Sequence, residues 1–271
     1  MYKLLLVSDR DDVLEAFEQV ENWERQGFKQ PHIRHDYEGT LDSLSNHHAD
    51  GIAVAVNPEE EKKILAYLQE NYPNVPIFQA GTTSEEVLRY LNELNILLNR
   101  IHADFSNDRF REIDMLQECR HDFFRKLLTG RIEHKDDLVR NMRLLRSRMD
   151  PDRPCLLVEL AQPNSTESDK LEGRWHYGAD RLELALRNSF GGDVEGFHIL
   201  PTVHTNGRIL VLCCPLYGVE SSVTGEKMTT VLTEHISDGI AHLKEFFGLD
   251  LQISEIRILP SLYVLCADAA E

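Results

Sequence analysis

The sequence predicts a two-domain α/β protein whose domains are joined by a long helix. With 271 residues, the chain is long enough for two domains. Short apolar runs alternate with amphipathic segments through residues 1–82, and an apolar stripe with helical spacing runs through residues 83–130. Residues 131–271 then follow the order β-α-β-β-α-β. The predicted domains are therefore 1–82 and 131–271, with a helical or coiled-coil linker between them.

The first domain alternates strands and helices, which predicts a parallel sheet with right-handed crossovers. The predicted strands cover residues 4–7, 31–37, 51–56 and 75–79. Sites in such folds lie at the carboxyl ends of the strands. Those ends carry Ser8 and Asp9 after the first strand, Ala55 in the third and Gln79 in the fourth.

This layout resembles the receiver domains of two-component signalling, which have a flavodoxin- or CheY-like fold. Receivers carry an acidic pair for magnesium after the first strand, where this chain has Ser8 and Asp9. Their phospho-accepting aspartate follows the third strand in a context like PDLVLLDIxMP, and it aligns with Ala55 of Ala49–Pro58. The Thr or Ser that ends their fourth strand aligns with Gln79. Neither the Lys-Pro pair of the family nor a fifth strand is recognisable.

Ala55 cannot form an acyl phosphate, because that step needs a carboxylate nucleophile. Magnesium needs several hard oxygen ligands, and Asp9 alone is a poor site. The resemblance therefore implies a pseudo-receiver that cannot be phosphorylated. An unrelated flavodoxin-like domain that never held such a site is the other interpretation. Asp50 precedes the third strand, and we expect it to face elsewhere.

The linker carries an a/d-type stripe that predicts a parallel homodimer. Its members recur at alternating steps of four and three: Val87, Leu91, Leu94, Leu98, Ile101 and Phe105. A second stripe, with Ile113, Leu116, Phe123 and Leu127, follows an interruption at Ser106-Asn107-Asp108. The alternative is that each half of the helix packs on its own neighbouring domain.

The C-terminal domain is predicted to be α+β and ferredoxin-like. Strands are expected over residues 155–160, 197–203, 208–214 and 251–256, with helices over 174–190 and 229–247. Asn206-Gly207 is a preferred two-residue turn between the central strands. The 174–190 segment is expected to contain a helix through Leu182, Leu184 and Leu186.

This half resembles the degenerate GGDEF-like middle domain of AraC-type (YesN-like) response regulators. The resemblance is carried by Phe123–Arg131, which matches FxRxLLxG, and by the LLVEL strand that begins at Leu156. In that family a receiver, a coiled-coil helix and this middle domain precede a DNA-binding pair of helix-turn-helix motifs. The chain ends at Glu271, where that pair would start, so we expect either a truncated regulator or one without its own DNA-binding part.

Several motifs are weaker candidates for chemistry. Gly191-Gly192-Asp193 resembles the GGDEF motif of diguanylate cyclases. It lies a strand earlier than the position of that motif, however, and continues Val194-Glu195 and not Glu-Phe. His235 and His242 are seven residues apart, too far for the usual i, i+4 zinc pair. The five cysteines form no CxxC pair, which favours reduced thiols in a cytosolic setting. We therefore assign no catalytic residue, no metal and no cofactor.

The net charge of −17 disfavours nucleic-acid binding by this segment alone. The sequence contains no apolar run of membrane-spanning length and no signal peptide is expected, which predicts a cytoplasmic protein without a membrane anchor. The expected function is signal transduction or transcription regulation through a homodimer, with a protein partner or small-molecule signal. A metabolite or nucleotide sensor with its pocket in the C-terminal domain is the alternative.

Overall fold

The computed structural model describes residues 1–102, 109–162, 179–204, 208–219 and 225–267. The chain is mixed α/β and divides into two compact units. The first unit comprises Met1–Arg120 and Val139–Ser147, and the second comprises His121–Leu138 and Arg148–Glu271. The sequence analysis places the domain boundaries at residues 82 and 130. The division in the structure differs from these, since most of the predicted linker belongs to the first unit.

The first unit is built on a parallel sheet. Its elements before the linker are β1 (Leu4–Ser8), α1 (Asp11–Glu18), a 3-10 helix (Trp23–Gln26), β2 (His32–Arg34), α2 (Tyr37–Asn46), β3 (Gly51–Ala55), α3 (Pro58–Asn71) and β4 (Ile77–Phe78). The strand order is β2-β1-β3-β4, and every pairing is parallel. Both β1 and β3 are buried on both faces, which explains why their sequences are continuous apolar runs and not alternating ones.

Side-chain caps define where the helices of this unit begin. The Asp36 carboxylate accepts a hydrogen bond from the Gly39 N–H at the start of α2. Asn57 accepts one from the Glu60 N–H at the start of α3. Such caps satisfy backbone donors that have no partner in the first turn. The local sequence therefore specifies where these two helices begin.

The linker contains two helices, α4 (Ser84–Ile101) and α5 (Arg109–Leu128). The stripe of α4 is buried within the first unit, with each of these side chains at most 2% exposed: Val87, Leu91, Leu94 and Leu98. Ile101 is half-buried, and Phe105 lies outside the described residues. The stripe of α5 is buried at Leu116, Phe123 and Leu127, and the side chain of Ile113 lies outside the described part of that helix.

A close approach to the sheet explains the burial of the α4 stripe. A Cβ atom on Gly51 would lie 2.8 Å from Leu94 Cδ2, so only glycine lets α4 pack this tightly on β3. On the same helix, Asn95 donates a hydrogen bond to the Gln26 carbonyl at 2.7 Å. The prediction that this stripe forms a dimer interface is therefore corrected. The first unit itself already covers four of the side chains that would form that interface. The homodimer itself stays a prediction.

A later segment of the chain also belongs to the first unit. It is the C-terminal part of α6 (Lys135–Leu144) and the residues that follow, and arginines fix it in place. Arg140 binds both carboxylate oxygens of Glu93 at 3.0 and 3.2 Å. Arg146 is 5% exposed and donates to the carbonyls of Leu68 and Pro73 at 3.0 and 3.4 Å. This differs from the sequence-based prediction, which assigns the segment to the C-terminal domain.

The second unit is built on an antiparallel sheet. Its elements after α6 are β5 (Cys155–Ala161), α7 (Ala179–Phe190), β6 (Asp193–Val194), β7 (Phe197–Val203), β8 (Ile209–Pro215), α8 (Gly225–Phe247), β9 (Gln252–Leu259) and a 3-10 helix (Leu262–Leu265). The strand order is β6-β7-β8-β5-β9, with antiparallel pairing throughout. The Asn206-Gly207 turn lies outside the described residues.

The main core of this unit lies between the sheet and helices α7 and α8. Gly239 of α8 permits a close approach to α7, because a Cβ there would lie 2.4 Å from a ring carbon of Phe190. Leu182 and Leu186 of α7 are buried in this core. Leu184 is 54% exposed, because residues i and i+2 of a helix point in different directions.

Candidate functional site

The carboxyl edge of the parallel sheet brings the predicted receiver-like residues to one side of the first unit. Ser8 and Ala55 are directly paired between β1 and β3. Ser8 is fully buried, whereas Ala55 is half-buried. Asp9 and Gln79 follow β1 and β4 and are exposed. The fold therefore places these four residues at the edge where sites of parallel sheets occur.

At the carboxyl ends of β1 and β3, the Ser8 side chain and backbone form hydrogen bonds with uncharged groups. The Ser8 hydroxyl donates to the Ala55 carbonyl at 2.9 Å and accepts from the Arg10 N–H at 3.1 Å. The His35 ring nitrogen Nδ1 lies 2.8 Å from the Ser8 carbonyl oxygen. Ser8 thus ties the two strand ends together, and its hydroxyl is committed to this role.

The acidic residues near this edge do not form a metal site in the part of the chain that the structure describes. Asp12 forms an ion pair with Arg10, whose hydrogen bond lowers the pKa of that carboxyl. Among the described residues, no group of three or more His, Cys, Asp or Glu side chains is arranged to hold a metal ion. In the described part of the chain, Asp9 therefore does not belong to a group of three such side chains arranged for a metal ion.

Asp50 lies at the opposite edge of the sheet. Its carboxylate accepts a hydrogen bond from the Lys3 N–H at 2.7 Å, and its other oxygen lies 2.9 Å from His48 Nε2. Lys3 precedes β1, so these contacts hold Asp50 at the amino ends of the strands. The expectation that Asp50 faces away from the receiver-like edge is confirmed, and this residue cannot substitute for an aspartate at position 55.

The second unit has an open groove between α8 and β9. Its volume is about 440 Å³, and hydroxyl and carboxylate side chains of α8 line one side. Its lining residues are Thr229, Thr230, Thr233, Glu234, Ser237, Asp238 and Ile256. The side-chain oxygens of Thr229 and Thr233 are buried and have no hydrogen-bond partner among the described residues. The groove therefore presents a mostly apolar surface, and the oxygens of these two threonines are shielded from solvent.

A buried carboxylate that sequence analysis missed lies between α5 and α7. Glu183 accepts hydrogen bonds from Arg125 at 3.0 Å, from Arg187 at 2.8 Å and from the Val203 N–H at 3.0 Å. Burial by itself raises the pKa of Glu183, but the Val203 N–H and the two guanidinium groups outweigh it and lower the pKa.

Arg125 gives the FxRxLLxG motif of α5 a structural role. Its guanidinium contacts both oxygens of Glu183, so it fixes α5 to α7 within the second unit. The signal available in the sequence was the position of Glu183 one residue after the buried Leu182, which places it next to the apolar face of the helix.

The weaker candidates have structural partners. Asp193 lies in β6 and binds His198 at 2.7 Å and Arg148 at 3.0 Å, and His198 is the main cause of its lowered pKa. His235 contacts the Phe190 carbonyl, and His242 lies 3.0 Å from the Ser189 hydroxyl, so both histidines contact the end of α7. All five cysteines are buried. Burial raises the pKa of Cys155 to about 12, which makes that thiol a poor nucleophile.

Comparison of the chain with models of known protein families found no match, and neither did comparison with curated proteins. Within the described residues, every helix is too short or too polar to cross a lipid bilayer.

Proposed function

We propose that this protein is a cytoplasmic signal-transduction or transcription-regulatory protein of the AraC-type response-regulator class. Its first unit acts as a receiver-like domain that cannot be phosphorylated. Its second unit is a non-catalytic, GGDEF-like sensor or interaction domain. No residue is assigned a catalytic role.

The observation that carries this proposal is the chemistry of the Ser8–Ala55 pair. The carboxyl ends of β1 and β3 carry a hydroxyl and a methyl group where a receiver needs carboxylates. The Ser8 hydroxyl is already bonded to Ala55. Since neither side chain can form an acyl phosphate, a signal acts by binding one conformation of the protein better than another.

The strand orders also support the proposal. The order β2-β1-β3-β4 with parallel pairing agrees with the first four strands of a flavodoxin-like sheet. In the second unit, β5-α7-β7-β8-α8-β9 follows the β-α-β-β-α-β order of ferredoxin-like domains, with β6 as an added edge strand. Both arrangements agree with the domain types expected of this class.

Incubation of the full chain with acetyl phosphate and magnesium tests the proposal. Intact-mass spectrometry should detect no phosphate adduct on the wild-type protein. The Ser8→Asp/Ala55→Asp variant restores two carboxylates at the strand ends and should gain an adduct that chelation of magnesium prevents. Its circular dichroism spectrum verifies folding, since the change introduces a carboxylate at the fully buried position of Ser8. A stoichiometric, magnesium-dependent adduct on the wild-type protein contradicts the proposal.

A small-molecule sensor is the second candidate, and the α8–β9 groove favours it. A ligand that enters this groove and turns Thr229 or Thr233 towards it would give the buried hydroxyl the hydrogen-bond partner that it lacks among the described residues. A thermal-shift screen with polar metabolites and nucleotides separates this candidate from a pure protein-interaction module. A ligand-dependent shift that the Thr233→Val variant abolishes supports the sensor, whereas a shift that survives this change places the ligand elsewhere.

A further inference from the structure

Strand β9 has an unpaired outer edge. It pairs with β5 on one side, and no other strand among the described residues pairs with it. The backbone groups of Gln252–Leu259 that point away from β5 form no hydrogen bonds in the described part of the chain. Such an edge is a template for another strand, and proteins usually protect it or use it for association.

An apolar strip lies beside this edge. Ile256 is 38% exposed and Ile258 is 54% exposed, although their β5 partners, Val158 and Leu156, are fully buried core residues. Paired residues share one face of a sheet, so both isoleucines lie on the face that the helices cover. The core of the second unit thus ends in two partly uncovered apolar side chains at the sheet edge.

We propose that β9 pairs in antiparallel fashion with β9 of a second copy of this chain, with Ile256 at the two-fold axis. The dimer would join two sheets into one and would bring the exposed isoleucines of the two copies together. The two-fold axis makes this interface closed and self-complementary. The proposal goes beyond the proposed function and is independent of the chemistry at Ala55.

The charged residues beside Ile256 favour this register over the two registers shifted by one residue. In a symmetric antiparallel pair, the residue on the axis faces its own copy, and residues equally far on either side face each other. Centring on Glu255 would oppose two carboxylates, and centring on Arg257 would oppose two guanidinium groups. Centring on Ile256 sets Glu255 opposite Arg257 twice, and cross-strand pairs of opposite charge are stabilising. Within one chain these two side chains already lie 3.5 Å apart.

A β-bulge limits the length of the new ladder. Glu159 pairs with Glu255 and Leu160 with Ile253, which leaves Ser254 as the extra residue. The Ser254 hydroxyl donates to the Glu159 carbonyl at 3.0 Å and fixes the bulge. The regular part of the strand, from Glu255 to Leu259, therefore carries most of the pairing. A short ladder with a small apolar contact predicts a reversible, concentration-dependent dimer.

Sedimentation of the full chain with a charge-swap cycle tests the interface. The wild-type protein should dimerise at tens of micromolar. Glu255→Arg and Arg257→Glu each oppose like charges twice and should raise the dissociation constant about tenfold, whereas the double swap should restore it. The two single changes shift the net charge in opposite directions, so general repulsion between acidic chains would affect them oppositely. A monomeric wild-type protein, or a dimer that ignores both single changes, overturns the proposal.

Cysteine cross-linking tests the register itself. Ile256→Cys would place two thiols opposite each other at the axis, within disulfide reach, and should give a covalent dimer under mild oxidation. Ile258→Cys is the matched control, because its thiol would face Ser254 of the other copy and should not cross-link. The native cysteines are buried and do not interfere. Equal cross-linking at both positions, or only at position 258, excludes the register, and thermal melts verify that both variants are folded.

Discussion

Among individual residues, the Glu183 carboxylate shows how a charge becomes part of a core. Its side chain is 4% exposed and is bonded to two arginines and a backbone N–H. A buried charge is tolerated only when such partners replace water. We therefore interpret Arg125, the arginine of the FxRxLLxG motif, as a structural anchor.

Glu183→Gln should destabilise the second unit by about 3 kcal/mol, because it removes the buried negative charge that two guanidinium groups contact. The amide keeps the size of the side chain and can still accept from the Val203 N–H. Urea titration measures the loss, and the exposed Glu245→Gln on α8 is the control that should cost almost nothing. Equal effects of the two variants would show that the cluster contributes little.

The same carboxylate predicts a dependence of stability on pH. The pKa of Glu183 is lowered in the folded chain relative to its ordinary value of 4.5, so its contribution is fully present above that value. Protonation of the folded carboxylate removes that contribution as the pH falls through its lowered pKa. The difference in unfolding free energy between wild type and Glu183→Gln should therefore shrink below pH 4.5. A difference that grows on acidification would contradict this assignment.

At the level of helices and strands, α4 shows that an a/d stripe does not by itself define a coiled coil. The stripe predicts burial correctly but cannot name the surface that buries it. Gly51 on β3 supplies that surface, because the absence of a side chain there leaves room for Leu94. The helix packs on its own sheet, as the alternative in the sequence analysis allows.

Leu94→Ala should cost about 2–5 kcal/mol, since it removes methyl groups from a fully buried position. Ile96→Ala on the same helix is the control and should be nearly neutral, because Ile96 is 61% exposed. Denaturation measures stability, and sedimentation measures mass. A change in oligomeric mass with Leu94→Ala but little change in stability would restore the dimer seam.

The segment Val139–Ser147 depends on its arginines to join the first unit. Arg146→Ala should cost about 2–3 kcal/mol, because it removes a buried guanidinium that donates to the carbonyls of Leu68 and Pro73. Arg143→Ala breaks a partly exposed ion pair with Glu61 and should cost less than about 1 kcal/mol. Proteolysis and hydrogen exchange of this segment provide the measurement. Similar effects of the two variants would contradict the anchoring role of Arg146.

For the molecule as a whole, the net charge of −17 predicts that this chain does not bind nucleic acid. Fluorescence anisotropy with a labelled DNA duplex at low salt should show no binding, although low salt is the condition that favours it most. The informative comparison is the same anisotropy measurement on a chain to which helix-turn-helix motifs have been added. Salt-sensitive binding by the present chain would show that a local basic surface overcomes the overall repulsion.

The order and type of most elements could be predicted from the sequence, because that information is local. Apolar runs specified β1 and β3, and capping residues such as Asp36 and Asn57 specified helix starts. The lack of a carboxylate at Ala55 was also visible without a structure. Asp50 could be assigned to the far edge of the sheet because it precedes β3.

Which surfaces meet became clear only from the folded chain. The fold placed the α4 stripe in the first unit and joined Val139–Ser147 to that unit. It also buried Glu183 among arginines and left the outer edge of β9 without a partner in the described residues. The physical reason is that periodicity says which side of an element avoids water, whereas the partner that covers it is set by contacts between residues far apart in the chain.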